Sequence, residues 1–373
     1  MITAVPLPRW RDLLAMFTEA SNPVDMAKPW LVRPDDRPLW FARSSWSLAA
    51  LAEAFRRRYG RAPLVSVPDY FCNASLEPLR LTGSEIVFHP IGDDLNPVWS
   101  ECAAMAAARR PDLFVLVHYF GSPADAAAAK AFCTGIGAVL VEDCAHCLAP
   151  APGIGATGDF VLWSPHKSLP APHGALLVCR GAPALSADDV RTPSGNTPTL
   201  GRWLVKRLVQ KIVPGWLLPP ATQSGPRHFA DDPAPARASL PVTPAPSLGG
   251  LTLVQRGAKR LAEAGAARRI NGVAVLGRCL ATPQWTTLFD PADRTPYRLV
   301  MRCATTALAS ERFELLRGAG LPVESWPDLP PEVKGEPQRH ATALQLRTTL
   351  LCLPVHQDLK AEELLASWPA ELS

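Results

Sequence analysis

The sequence predicts an α/β fold built on a mostly parallel sheet, with helices on both faces and a smaller α/β portion towards its C-terminal end. Three observations predict it. Helix-like and strand-like segments alternate from about residue 46 to 178, and the strand-like ones include short, continuously apolar runs of the kind buried on both faces. Polar residues follow directly where such runs stop, which is where open α/β sheets place their ligands.

In chain order, residues 47–59 are amphipathic and predict a helix, and 62–67 a strand. Residues 75–81 predict a helix leading into a strand over 85–89, and 97–107 a helix leading into a strand over 113–118. The Ala-rich run 124–134 predicts another helix, followed by a buried strand over 138–141 that ends at Glu142-Asp143. Strands over 160–163 and 175–179 bracket Ser164-Pro165-His166-Lys167-Ser168-Leu169-Pro170. A dense scatter of prolines over 214–246 marks an irregular connector. Beyond it, 251–281 predicts one long helix carrying Arg268, Arg269 and Asn271, and an α/β portion starts near Tyr297. The expected organisation is an N-terminal segment (1–30), a large domain (31–213), the connector (214–247) and a small domain (248–373).

With 47% hydrophobic and 19% charged residues the chain is expected to be globular rather than disordered. Its 38 basic against 34 acidic residues give a net charge of +4, too small for the footprint of a nucleic-acid binder. No basic stretch followed by an apolar one opens the chain, so no secretory signal is expected, and no apolar run approaches a membrane span. Nine scattered cysteines, an odd count without a paired framework, predict reduced thiols and a cytoplasmic location. Cys144 and Cys147 have redox or metal spacing but no second pair nearby, so no metal site is expected.

The motif series is Val141-Glu-Asp-Cys-Ala-His146, Gly158-Asp159 and Trp163-Ser-Pro-His-Lys167. It is preceded by Arg43-Ser44-Ser45, Val117-His-Tyr-Phe-Gly121 and Pro123-Ala-Asp125, and followed by Trp326-Pro-Asp-Leu-Pro330 and Leu353-Pro-Val-His356. In order and spacing the series resembles the DegT/StrS sugar aminotransferase family, over residues 40 to 360 and most weakly between 185 and 250. The resemblance implies a fold-type-I transferase dependent on pyridoxal phosphate (PLP). Its expected reaction converts a keto group, that of a nucleotide-linked sugar, to an amine with Glu or Gln as donor, as in polysaccharide or natural-product biosynthesis. It also implies a homodimer whose subunits share active-site residues, with Asn196 as one such group.

A protein that uses PLP must bind its aldehyde, protonated ring nitrogen, phosphate and ring face. Lys167 lies between apolar strands and near Pro170, Pro172 and Gly174, and is expected to carry the cofactor as a Schiff base and to move a proton. Asp143 is expected to hold the ring nitrogen, and is otherwise a helix cap. His146 stands where this family more often has Gln, near the ring or its phenolic oxygen, and is otherwise structural. Ser44 and Ser45 enter a helix whose N-terminus suits phosphate, though an ordinary serine N-cap has the same appearance. Ser164 is a second phosphate candidate. Tyr70 and Phe71 resemble the segment laid over the cofactor ring, with core packing the other reading. Arg302 is a candidate partner for a donor carboxylate.

Two alternatives to an aminotransferase stay open: another fold-type-I PLP enzyme, desulfurase- or lyase-like, as His166-Lys167 also suggests, or a non-catalytic binding relative. Residues 202–218 are basic and amphipathic, with Trp203, Leu204, Leu208 and Ile212 on one stripe. Such a helix packs on its own domain or on a second subunit, the favoured reading here, or lies on an anionic membrane surface.

Overall fold

The computed structural model describes residues 2–18, 22–191, 200–213 and 245–372. Seven strands form the main sheet: β1 (Arg37–Phe41), β2 (Leu64–Pro68), β3 (Glu85–His89), β4 (Leu113–Val117), β5 (Val139–Cys144), β6 (Phe160–Trp163) and β7 (Ala175–Cys179). Their order is β1-β7-β6-β5-β4-β2-β3, and every neighbouring pair is parallel except those of β7, which runs antiparallel to both β6 and β1. The carboxyl ends of β1, β2, β4, β5 and β6 therefore share one edge.

The period-two geometry of a strand sends successive side chains to opposite faces, and here both faces are covered. On β4, Val115 and Val117 join the core beneath the helix Ser44–Tyr59, while Phe114 and Leu116 pack with Ala126, Ala129 and Cys133 of the helix Ala126–Ile136. On β6, Phe160 and Leu162 face the first of these layers, and Val161 and Trp163 face a third cluster that holds Trp30 and Leu253. This two-sided burial is why these strands read as continuous apolar runs rather than alternating ones.

The C-terminal part forms a three-stranded antiparallel sheet, β8 (Trp285–Thr287), β9 (Leu299–Cys303) and β10 (Leu350–Leu353), in the order β10-β9-β8. It has its own core, in which Val275 and Cys279 from the helix Leu261–Leu280 meet Phe313 and Leu316 from the helix Thr306–Gly318. The single helix expected over 251–281 is instead two, Leu248–Ala258 and Leu261–Leu280. The chain turns at Arg260, whose φ of −126° is not helical, and Gly257 lies against Leu169 so closely that a Cβ would meet it at 2.9 Å.

Gly121 fixes how the two parts meet. Its φ of +87° suits glycine, and a Cβ there would stand 2.4 Å from the Thr295 carbonyl oxygen. The close approach lets the Tyr297 N–H donate to the Phe120 carbonyl at 2.9 Å. The expected connector (214–247) lies outside the described residues except for positions 245 to 247, and Asn196 lies outside them too. No helix among the described residues is long and apolar enough to cross a membrane.

Candidate active site

A cavity of about 500 Å³ opens at the shared carboxyl edge, lined by Asp143, His146, Lys167, Ser44, Ser45 and Phe71 among others. They come from four strand ends or the segments that follow them, those of β1, β2, β5 and β6, so the edge rather than any one local motif brings them together.

Asp143 is the penultimate residue of β5. Its Oδ1 accepts the Ala145 N–H at 2.8 Å, a local turn that aims the carboxylate along the edge. Burial pushes its pKa up, and the Lys167 charge and the Ala145 N–H offset this only in part. The carboxylate thus lacks a full complement of donors, a feature typical of a ligand-binding group.

Lys167 sits on the four-residue helix Pro165–Ser168 between β6 and β7. Hydrogen bonds hold that segment on both sides. His166 Nδ1 lies 3.0 Å from the Gly174 carbonyl, while Arg268 Nη2 and Gln357 Nε2 both donate to the Ser168 carbonyl at 3.0 Å. Arg268 is fully buried, and its pKa falls to about 9 through burial and the nearby Arg298 charge.

His146 is half-buried, its ring stacked on Tyr297 at 4.7 Å between centroids with planes 3° apart. The Phe120 N–H points at Nδ1 (3.4 Å), which assigns the ring proton to Nε2. Burial, with the charges of Lys167 and Arg298, holds its pKa well below the usual histidine range, so the ring is neutral.

Ser44 and Ser45 both line the cavity in the first turn of the helix Ser44–Tyr59. The N-cap is Arg43, and no side chain caps that helix end, so the serines are not serving as an ordinary N-cap. Ser164 does not line the cavity, yet its Oγ is buried without a partner. Of the expected aromatic pair, Phe71 lines the cavity and Tyr70 does not. Tyr70 is fully buried and stacks on Trp326 at 4.4 Å, because consecutive residues leaving β2 point to opposite sides. Arg302 also stands off the cavity and pairs with Asp93 at 3.0 Å.

The sequence reading assigned no role to three further lining residues: Trp326, Tyr119 and Ser75. Trp326 arrives from the C-terminal part and meets His146 and Phe120 edge-on, with Nε1 buried and unpartnered. Tyr119 follows the end of β4, and that position was its only sequence signal. Cys72, the thiol on the cavity wall, stands at the start of the helix Asn73–Leu81 rather than on a long loop.

The Gly158-Asp159 motif proves to be scaffold. Gly158 donates its N–H to Glu142 Oε2 at 2.7 Å, and a Cβ there would lie 2.7 Å from the Glu142 Cβ. Asp159 accepts the Leu140 N–H at 2.9 Å and pairs with Lys130. His118, Glu142 and Cys144 lie close enough to hold a metal ion. Both His118 nitrogens are already engaged, Nε2 by Glu142 at 2.8 Å and Nδ1 by the Ala124 N–H at 2.9 Å.

The mostly parallel sheet with an antiparallel β7 is a fold that this chain shares with solved aminotransferases. Residues 58–171, which carry β2 to β6 with both Asp143 and Lys167, match the model of the DegT/DnrJ/EryC1/StrS aminotransferase family. The resemblance read from the sequence is borne out there. Among solved structures, the aminotransferase TlmJ from Streptoalloteichus hindustanus is similar at a TM-score of 0.70 and 18% identity, over 98% of this chain and 97% of that one. PseC from Helicobacter pylori, an aminotransferase of pseudoaminic acid biosynthesis, is similar at 0.66 and 12%, over 99% and 98%. DesI, solved with its TDP-sugar product, is similar at 0.67 and 16%, over 98% and 91%. No curated protein matches the chain.

Proposed function

We propose that this chain is a PLP-dependent aminotransferase that converts the keto group of a nucleotide-linked sugar to an amine, with Glu or Gln as donor. The observation that carries the reading is the pairing of Lys167 with an incompletely satisfied, buried Asp143 on one cavity. A carboxylate in that state calls for a cationic N–H partner, which a protonated pyridine nitrogen supplies. The uncapped helix end at Ser44 and Ser45, on the cavity wall, fits a phosphate. The residues present therefore fit the cofactor.

When bound, PLP would supply the electron sink that makes a proton on the donor's α-carbon removable. Lys167 would bond the cofactor's carbonyl carbon at rest. Its freed Nζ would take that proton and hand it to the former aldehyde carbon within the same half-reaction, and would move a proton in the opposite direction for the keto acceptor. Asp143 would keep the ring nitrogen protonated. His146, neutral with its proton on Nε2, is suited to donate a hydrogen bond to the phenolic oxygen, and Phe71 would restrain ring tilt. Trp326 would shield the site from water. The nucleotide-sugar acceptor rests on the matched family and on the TDP-sugar product in whose presence DesI was solved. Subunit sharing in a homodimer and a cytoplasmic location complete the proposal.

The test is an absorbance spectrum of the purified protein with PLP, before and after glutamate, beside Lys167→Ala. A visible band that glutamate bleaches, and that the variant lacks, is expected. A band unmoved by any amino donor points to another PLP reaction, and no Lys167-dependent band overturns the reading.

A further inference from the structure

The helix Leu200–Ile212 has two faces, and among the described residues only one is packed against the rest of the chain. Trp203 on the inner face packs with Met16 against the core cluster that contains Leu253, and Leu200 lies with Met16 beside Gly249. Arg207 is drawn in beside Trp203, its guanidinium 5.6 Å from the ring centroid, and donates to Gln210 at 2.7 Å. On the outer face Val205 is 62% exposed, Val209 40% and Ile212 67%. Their i, i+4, i+7 spacing makes one stripe, so Ile212 lies opposite Trp203 rather than on one stripe with it as the sequence predicted.

A second apolar patch adjoins it. The helix Trp10–Thr18 exposes Trp10 (52%) and Phe17 (75%), again i and i+7, and Lys211 Nζ stands 5.1 Å from the Trp10 ring centroid. Two neighbouring helices thus present valine, isoleucine, tryptophan and phenylalanine side chains to the outside. Large apolar exposure of this kind marks an interaction surface.

Charge decides between occupants. Arg202 and Lys206 flank the stripe, Arg9 and Arg11 are exposed on or beside the first helix, and its Asp12 is buried against Arg260 at 2.7 Å. From residue 190 to 230 the sequence has no Asp or Glu but carries Arg191, Arg202, Lys206, Arg207, Lys211 and Arg227. A two-fold contact between copies would bring like charges together with no acid from this stretch to oppose them. An anionic lipid surface supplies the missing negative charge and a bed for the aromatic and aliphatic side chains.

We infer that the outer faces of Trp10–Thr18 and Leu200–Ile212 dock this protein peripherally on an anionic membrane surface. The contact is independent of the transamination reading, since none of these residues lines the cavity.

Flotation of the full chain with vesicles of phosphatidylcholine alone, or with phosphatidylglycerol added, tests it. Binding is expected only to the anionic vesicles, falling in high salt and falling about five-fold for each of Arg202→Gln and Lys206→Gln. Val209→Ser with Ile212→Ser should weaken it further while circular dichroism and the PLP spectrum stay unchanged, because the inner face is intact. No binding to anionic vesicles, or equal binding to neutral ones, overturns the inference. So does a dimer, seen by light scattering, that Val209→Arg splits into monomers, because a second copy would then cover the face.

Discussion

Glu142 and Asp143 are consecutive buried carboxylates on one strand, and they have opposite fates. Glu142 accepts from His118 Nε2 at 2.8 Å and from the N–H groups of Gly155, Thr157 and Gly158 at 2.5, 3.0 and 2.7 Å. Burial alone would raise its pKa, but the His118 hydrogen bond and the backbone donors of Gly158 and Gly155 outweigh it, and the pKa falls. Asp143 has a single backbone donor and a pKa pushed up. A satisfied carboxylate fastens β4, β5 and the 155–158 turn together, whereas an unsatisfied one is held ready for something the chain does not itself provide.

The contrast can be broken most forcefully at Glu142. Glu142→Ala is expected to cost about 3–5 kcal/mol of folding stability, since it strands His118 and three backbone donors in the interior. Urea titration of the cofactor-free protein reads it directly, and a loss near zero would show that the cluster is not a fastening. Asp143→Asn should do the reverse, lowering kcat by about 100- to 1000-fold while leaving urea stability equal or higher. Equal damage to kcat and to stability would erase the distinction drawn between the two residues. Gly158→Ala forces a Cβ onto Glu142 and the Phe160 carbonyl, each 2.7 Å away, and should destabilise by about 1–3 kcal/mol without altering cofactor absorbance.

The smallest effect is in acid. Glu142, with its pKa depressed in the fold, contributes stability that is present above its ordinary value of 4.5 and lost as pH falls through the folded value. Asp143, with its pKa raised, acts in the opposite sense: the fold is least burdened below its ordinary 3.8 and loses stability as pH rises through the folded value. Urea stability against pH is therefore expected to fall less steeply below 4.5 in Glu142→Gln than in the parent chain. In Asp143→Asn the apoprotein should gain stability towards neutral pH. Parallel profiles for the parent and both variants would contradict both assignments.

The same contrast separates what the sequence made legible from what it did not. Strands β6 and β7 lie where their apolar runs predicted, since burial on both faces leaves an unbroken signal, and β3 lies where predicted although it is an edge strand with an exposed start. Helix starts were read less well, late at 47 and 75 against Ser44 and Asn73 and early at 97 and 124 against Trp99 and Ala126, because the first turn of a helix carries little periodicity. The turn at Arg260 was missed because two helices a few residues apart keep nearly the same apolar spacing. Asp143 and Lys167 were legible from their positions at strand ends, although β5 runs on through Asp143 to Cys144 where the sequence predicted it to stop at 141. Glu142 was legible only as a neighbour, since its partners lie 13 to 24 residues away across the sheet. Trp326 carried no local sign that it would close a cavity begun near residue 44. Tyr70 and Phe71 illustrate the finest limit, because which of two adjacent aromatics faces the cavity depends on how the chain leaves β2.

The Ser168 carbonyl, one residue from the lysine, is gripped by Arg268 and Gln357, both from the C-terminal part of the chain. The lysine's seat and the posture of that distant part therefore form a single mechanical unit. The C-terminal part cannot swing relative to the main sheet without either dragging the lysine along or breaking two hydrogen bonds at one oxygen. That coupling runs through one carbonyl oxygen, which no sequence motif singles out.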